Sequence, residues 1–381
     1  MLKNRRDRLK LRLLYIGFLA LYCITIFYNE VLVYEIQKWM WRTYECSDCV
    51  RILLVADPQI LGERNENYFG SSVAIWDSDR YLEETFSRAL RHSQPHVIAF
   101  LGDLMDEGHI ATLDEFKKYK KRLDSIFSTP DNIMKIYIPG DNDIGGEEDS
   151  VSPGILQRFN FAYTQPDTLV YKSVTFFKVN RLTRTIPKAP KDAFLNDYKE
   201  RNITNVILSH VPLLSMPDRF VQSVLEELTP QVIFTAHTHH AAHESLDTAT
   251  DQLSYPGCIR PQQGMMLYEL RVDVGDIHEV QIPTCSYRMG TPDTGYGLAY
   301  IDTQGKTVAF TILWQPGRIP QLYVYAVVGP VSILLALIIF KFNCFCYARS
   351  YVASNLPERY KAGLIRKDPL LDRCNLRVYK G

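Results

Sequence analysis

Neither charge dominates this sequence, no segment repeats and no tract is of low complexity. Across 381 residues, 43 Lys and Arg balance 43 Asp and Glu, and 46% of residues are hydrophobic. Without strong compositional bias the chain is neither disordered nor collagen-like, and it is too long for a mini-protein. It has room for one large domain or two of about 100–200 residues each. Tryptophan is scarce, at four residues, whereas Tyr and Phe are plentiful at 23 and 18. Such aromatics suit a core and a membrane rim rather than a platform for stacked bases.

The zero net charge hides a segregation. Residues 1–12 hold six bases and one acid, residues 341–381 hold nine bases and three acids, and the stretch between them is left at −11. Basic ends around an acidic middle argue against a nucleic-acid partner and suggest a membrane between the parts. An uncharged apolar run lies at each border. Residues 13–28 carry no charge and continue through Asn29 and Glu30 to Tyr34, near the roughly 20 residues a helix needs to span. Bulky residues follow instead of a small-residue cleavage site, so the run reads as a retained signal anchor rather than a cleaved peptide. The second run, Gln321 to Phe340, stops at Lys341, and its Gly329-Pro330 pair is better tolerated in lipid than in water.

The positive-inside rule then orders the chain. Residues 1–12 are expected in the cytosol, 13–34 as a transmembrane helix, 35–318 as a lumenal domain, 319–340 as a second transmembrane helix and 341–381 as a cytosolic tail. Asn202, in the sequon Asn202-Ile203-Thr204, is a glycosylation candidate in the lumenal part. Arg5-Arg6 fits an endoplasmic-reticulum retention signal. Cys46-Ser-Asp-Cys49 lacks the second Cys or His pair of a zinc site, which leaves a disulfide or free thiols. Cys344 and Cys346, just inside the second span, suit palmitoylation or packing.

Within the middle domain, short apolar runs end in polar residues. They are Arg51-ILLVA-Asp57, Val97-IAFLG-Asp103, Met134-KIYIPG-Asp141, Asn205-VILS-His210 and Val232-IFTA-His237. Runs of this length suit strands buried on both faces. Helical spacing is expected over Asp79–Ser93, Thr112–Phe127 and Arg219–Leu228, and Tyr171–Asn180 alternates like a strand. Strands alternating with helices give an α/β sheet, whose ligand site lies beyond the carboxyl ends of the strands.

Five runs thus deliver Asp or His to one sheet edge. The ordered set is Asp57-Pro-Gln59, Gly102-Asp103-Leu-Met-Asp106, Gly140-Asp141-Asn142-Asp143, Ser209-His210 and Ala236-His237-Thr-His239. Taken singly, Asp57 and Asp103 fit helix caps, Asp141 and Asp143 turns, His210 a core histidine and His237 to His243 a solvated loop. Those readings leave the order of the five blocks unaccounted for. The set resembles the calcineurin-like metallophosphoesterases over residues 50–302. The opening around Asp57, the segment Ile282-PTCSYRMG-Gly290 and the two apolar runs resemble the membrane-bound branch that remodels GPI anchors, with its yeast cell-division-cycle relatives.

That resemblance implies a four-layer α/β/β/α sandwich flanked by two transmembrane helices, and two divalent ions as cofactors. Asp103 would bridge the ions. Asp57, Gln59 and His239 would complete one site, and Asp141, His210 and His237 the other. Asp106 would orient the ligands rather than join them. Such ions activate water and clamp phosphate oxygens for in-line attack. Three positions depart from the family pattern. Gln59 stands for a His and, as a neutral oxygen ligand, points to Mn²⁺ or Mg²⁺ over Zn²⁺. Asp141 stands for an Asn, adding a negative charge that tightens metal binding. Asn142 stands for the His that contacts phosphate and protonates the leaving group, and it cannot titrate. His109, His240 and His243 are candidate replacements for that acid.

The resulting expectation is a lumenal phosphodiesterase, with Mn²⁺ as the metal. Its substrate would be the GPI glycan or a GPI-anchored protein, from which it removes ethanolamine-phosphate on mannose. The lipid bilayer is the other partner. Its place would be the endoplasmic reticulum, its exit sites, the ER–Golgi intermediate compartment or the cis-Golgi. A lumenal nucleotide or pyrophosphate phosphohydrolase and a catalytically weak metal-binding trafficking factor are the alternatives.

Overall fold

A computed structural model describes residues 2–66, 68–147, 149–188, 203–254, 257–261, 266–272, 275–304 and 306–355. The glycosylation candidate Asn202 lies outside them. The chain forms two compact units, Met1–Val33 with Ile319–Gly381, and Tyr34–Arg318.

The first unit opens with α1 (Leu2–Phe27), which passes through a π-helical stretch at Tyr28–Leu32 into α2 (Val33–Trp39). Among the described residues, two helical stretches are long and apolar enough to cross a membrane, Tyr15–Trp39 and Arg318–Ile338. They correspond to the expected runs 13–34 and 319–340. Asn29 and Glu30, which interrupt the first run, are paired inside the unit. Asn29 Nδ2 donates to the Gln321 carbonyl at 3.4 Å, and the Tyr325 hydroxyl donates to Glu30 Oε1 at 2.7 Å. Polar groups in an apolar stretch are stabilised by such internal partners.

The second unit is built on strands β1 (Cys49–Val55), β2 (Val97–Phe100), β3 (Met134–Tyr137), β4 (Thr168–Tyr171), β5 (Val174–Lys178), β6 (Thr204–Leu208) and β7 (Val232–Thr235). It continues with β8 (Ala242–Asp247), β9 (Gln252–Leu253), β10 (Gly257–Cys258), β11 (Tyr268–Arg271), β12 (Ile277–Gln281), β13 (Gly295–Asp302) and β14 (Thr307–Trp314). One sheet has the order β11-β14-β13-β1-β2-β3; the other runs β10-β8-β12-β7-β6-β5-β4, with β9 beside β8. The pairs β1·β2, β2·β3, β5·β6, β6·β7 and β7·β12 are parallel. Their carboxyl ends therefore share an edge within each sheet.

The two sheets pack face to face. Ile52 and Leu54 of β1, Ala99 of β2 and Phe310 of β14 meet Phe176 of β5, Val206 of β6, Phe234 of β7 and Val280 of β12 in one apolar core. Because alternate strand residues face opposite ways, Leu53, Val55 and Phe100 point outward. They pack under α3 (Ser71–Ser93), α4 (Leu113–Ile126) and α6 (Pro153–Ala162), through Leu82, Phe86, Tyr119, Leu123 and Phe159. A one-turn helix, α5 (Asp141–Ile144), precedes α6. On the other side Phe177, Ile207 and Ile233 pack under α7 (Arg219–Leu228) through Phe220, Val221 and Val224. The layers are α/β/β/α, as the resemblance implied. The chain leaves this unit at Arg318, where α8 (Arg318–Asn355) begins.

The five apolar runs are all strands, and Arg219–Leu228 is the expected helix. Thr112 caps α4 through a reciprocal bond pair with Glu115, which is why that helix starts one residue late. Helix α3 begins at Ser71, eight residues before the expected Asp79, since its first turns expose Val73 and Trp76 and break the amphipathic signal. Lys172, at φ 51°, turns the alternating stretch around 171–180 into the hairpin β4·β5. Cys46 and Cys49 are joined as a disulfide, while Cys258 and Cys285 are free.

Candidate metal centre

Each ligand candidate follows a strand: Asp57 and Gln59 after β1, Asp103 after β2, Asp141 after β3, His210 after β6, and His237 and His239 after β7. Asp57, Gln59, Asp103, His237 and His239 have φ of 45°, 38°, 51°, 68° and 61°. They make up half of the ten non-glycine residues in the left-handed region among the described residues. That conformation costs about 1–3 kcal/mol per residue and persists only where the surroundings impose it. Its concentration here marks a site held against local backbone preference. Two glycines make room. A Cβ at Gly140 would lie 2.1 Å from Asp103 Oδ1, and one at Gly102, itself at φ +93°, would lie 2.6 Å from His210 Nδ1.

Asp103 sits at the middle. Its Oδ2 accepts from Gln59 Nε2 at 2.9 Å and from Asn142 Nδ2 at 3.0 Å; its Oδ1 accepts from the Asn142 N–H at 2.9 Å and lies 3.5 Å from His210 Nε2. To one side, Gln59 Nε2 is 3.4 Å from His239 Nε2. To the other, Asp141 Oδ1 is 2.9 Å from His210 Nε2 and 3.0 Å from His237 Nδ1. Asp57 closes the ring: its Oδ1 accepts from the His237 N–H at 3.3 Å and lies 3.9 Å from His210 Nδ1. Among the described residues, two triads have donor atoms close enough to share an ion, Asp141–His210–His237 and Asp57–Asp103–His210. His210 therefore belongs to both, whereas the resemblance assigned it to one.

These residues fit a pair of cations. Asp57, Asp103 and His210 are buried, and Asp57 Oδ2 has no hydrogen-bond partner, an arrangement that is costly unless a counter-charge is supplied. Burial pushes the Asp57 carboxyl up to about 8 and raises that of Asp103. For Asp141, burial is outweighed by contact with His210 and His237, and its carboxyl is held well below the usual carboxylate range. Burial works against charging His210, yet Asp103, Asp141 and Asp57 together raise its imidazole to about 10. A site that draws protons onto a buried histidine is one a metal cation would neutralise. His210 Nδ1 lies 2.8 Å from the Leu101 carbonyl. An N–H donated there leaves Nε2 free to ligate. His239 is lowered to about 4 by burial and by the nearby His237 charge, so it stays neutral and ligand-ready.

Several supporting groups are not assigned to the site from sequence, where Asp143 reads only as a turn residue. Asp143 accepts from the N–H groups of Leu104, Met105 and Gly140 at 3.0–3.1 Å, fixing the turns that carry Asp103 and Asp141. The Thr284 hydroxyl donates to the Asp57 carbonyl at 2.8 Å. Gln281 accepts from the Thr238 hydroxyl at 2.9 Å and donates to Glu244 at 2.9 Å, bracing the loop between His237 and His239. Short polar side chains that bond backbone leave no spacing pattern to find. Asp106 is bonded to the Asn65 side chain and feels the Asp103 charge. Of the three histidines considered as replacement acids, His109 lies at Asn142: its Nδ1 is 3.1 Å from the Asn142 carbonyl, which also accepts its N–H at 2.8 Å. His243 is stacked on His278, and His240 is exposed.

Residues 50–241 match the family model described as calcineurin-like phosphoesterase. The chain belongs to that family, a class of phosphoric ester hydrolases. It is similar to a Metallophosphoesterase 1 homolog of Drosophila melanogaster, at 28% identity over 179 residues, covering 45% of this chain and 47% of that one. A Metallophosphoesterase 1 homolog of Caenorhabditis elegans is 24% identical over 258 residues, covering 57% and 68%. The match thus spans about half to two thirds of these relatives. Among solved structures, a metallophosphoesterase from Sphaerobacter thermophilus aligns over 76% of this chain and 99% of that chain, at 13% identity and a TM-score of 0.37.

Proposed function

We propose that this protein is a metal-dependent phosphodiesterase of the early secretory pathway, acting on the lumenal side and removing ethanolamine-phosphate from GPI-anchor mannose. The observation that carries the hydrolase reading is the convergence of Asp57, Asp103 and Asp141, from the carboxyl edge of one sheet, with His210 and His237, from that of the other, rather than at the single edge expected from sequence. Two divalent ions bound there supply an activated water and neutralise phosphate oxygens. Oxygen-rich donors, Gln59 among them, favour Mn²⁺ over Zn²⁺. Asn142, held against Asp103, presents an amide hydrogen-bond donor where the family has an imidazole. The proton for the leaving oxygen then falls to His109, the imidazole beside Asn142.

The GPI reading draws its support from the branch-like segments at Asp57 and at 282–290, and from the two apolar helices at either end of the domain. A tethered enzyme suits a glycan that is itself lipid-anchored. Two measurements test the reading. Purified full-length protein should hydrolyse an aryl phosphodiester with Mn²⁺; no turnover would favour a metal-binding trafficking factor. Cells lacking the gene should accumulate ethanolamine-phosphate on GPI mannose; unchanged glycans with active enzyme would favour a nucleotide or pyrophosphate substrate.

A further inference from the structure

One stripe of α3 holds both points where the chain leaves the catalytic unit. Near the N-terminal end, Asp77 takes Arg318 through Nε at 3.2 Å and Nη2 at 2.5 Å. One turn on, the Tyr81 hydroxyl donates to the Pro316 carbonyl at 3.1 Å. Further along, Arg88 pairs with Glu35 and lies 5.4 Å over the Tyr34 ring. Asp77, Tyr81 and Arg88 are spaced by four and seven residues, so they lie along one helix face. Tyr34 and Arg318 are the limits of the unit, and the apolar helical stretches continue directly from them.

Val73 precedes Asp77 by four residues and extends the same stripe, with Trp76 beside it. Both are exposed, Val73 at 65% and Trp76 at 60%, and so are Tyr68 at 50% and Phe69 at 105% in the loop before the helix. That loop begins at Gln59 of the metal centre. It is braced on the way by Glu107, which accepts from the Arg64 and Asn65 N–H groups, and by the Arg288–Glu66 ion pair. Solvent-exposed aromatics of this size are unusual on a face with no partner. Trp and Tyr are enriched where a protein meets the headgroup level of a bilayer.

We infer that Tyr68, Phe69, Val73 and Trp76 form a membrane-docking surface that seats in the headgroup–acyl boundary of the bilayer. The stripe that anchors both chain exits continues into this apolar patch, so the patch lies one helical turn from the point where Asp77 holds Arg318. Ten residues separate Gln59 from Phe69, and a chain spans at most about 3.3–3.6 Å per residue. The patch is thus tethered within about 35 Å of the metal centre. Docking would hold the site at the height of a phosphodiester carried on a lipid. The inference rests on the membrane-spanning reading, and its first readout needs no turnover.

The full-length protein is reconstituted in phosphatidylcholine vesicles with a benzophenone amino acid at Phe69 or at Trp76, and at Phe161 as control. Phe161 is 86% exposed, on α6. Irradiation should give phosphatidylcholine adducts at 69 and 76 at least fivefold above those at 161. Equal or absent adducts, or cross-linking of 69 or 76 to a second copy of the chain, would overturn the proposal. In a second readout, Phe69→Ser combined with Trp76→Ser should leave hydrolysis of a soluble aryl phosphodiester unchanged. Hydrolysis of an acyl-chain aryl phosphodiester in the same vesicles should fall about tenfold. Equal loss on both substrates would contradict docking, whereas inactivity of the unmutated enzyme would bear on the hydrolase reading and leave the cross-linking result to stand.

Discussion

Gln59 donates its side-chain amide to Asp103 Oδ2 at 2.9 Å, across 44 residues of sequence. This contact puts a neutral amide where the family pattern has an imidazole, directly on the central carboxylate. A carbonyl oxygen is a harder donor than a ring nitrogen and suits Mn²⁺ or Mg²⁺. Gln59→His should therefore raise the ratio of zinc to manganese retained after purification in equimolar metals, as read by elemental analysis. An unchanged ratio would remove Gln59 from the ligand set.

His109 offers the second prediction. Its ring touches the Asn142 carbonyl, and loss of a general acid typically lowers rate by about 10²–10⁴. His109→Ala should lower kcat by about that factor for an alkyl leaving group. A nitrophenyl leaving group needs no proton, so its turnover should change little. Equal effects on both substrates would mean that His109 only supports the loop.

How much of this was legible in sequence depends on what each residue does. Candidate ligands are Asp, His or Gln at the ends of buried strands, so Asp57, Asp103, His210 and His237 could be read from apolar runs and their polar ends. The same runs read as an α/β sheet, and the four layers were implied by the family resemblance. Strands β8, β12, β13 and β14 were not assigned. β13 and β14 form a hairpin with each other, but each sheet is completed by partners far along the chain, as β13 pairs with β1, and nothing local encodes that pairing. The left-handed φ at five of the ligand positions was equally hidden, because tertiary contacts impose it on residues whose side chains disfavour it.

Asp143 makes a third case. Its carboxylate takes three backbone N–H groups from the turns beside Asp103 and Asp141. Asp143→Ala leaves them unpaired in a buried place. Groups that orient metal ligands are worth about 10–100-fold in affinity. Manganese affinity measured by calorimetry should weaken by about that factor; affinity within twofold of the unmutated protein would show that the turns hold themselves.

Glu244 and Glu279 lie opposite each other on β8 and β12, both buried. Burial, with the charge of Glu279, pushes the Glu244 carboxyl up to about 7, and burial raises that of Glu279. The folded state thus binds more protons than the unfolded state between the ordinary glutamate range and about pH 7. Stability from this pair is full below that window and is lost as pH rises through it. Glu244→Gln removes the titration. Its thermal midpoint, relative to the unmutated protein, should be higher at pH 8 than at pH 5, by about 2–4 °C for each kcal/mol recovered. A difference that does not vary with pH would show that Glu244 does not titrate in that window.

The proposed hydrolase reading would have Asp103, which lies between Gln59 and His210, hold two divalent ions together. Metal content and phosphodiesterase turnover should be measured together on the unmutated protein and on Asp103→Asn. Two divalent ions per chain with Mn²⁺-dependent turnover are expected for the first. Loss of at least one ion, with turnover down by more than about 10², is expected for the second. Full metal content and undiminished turnover in Asp103→Asn would contradict the account.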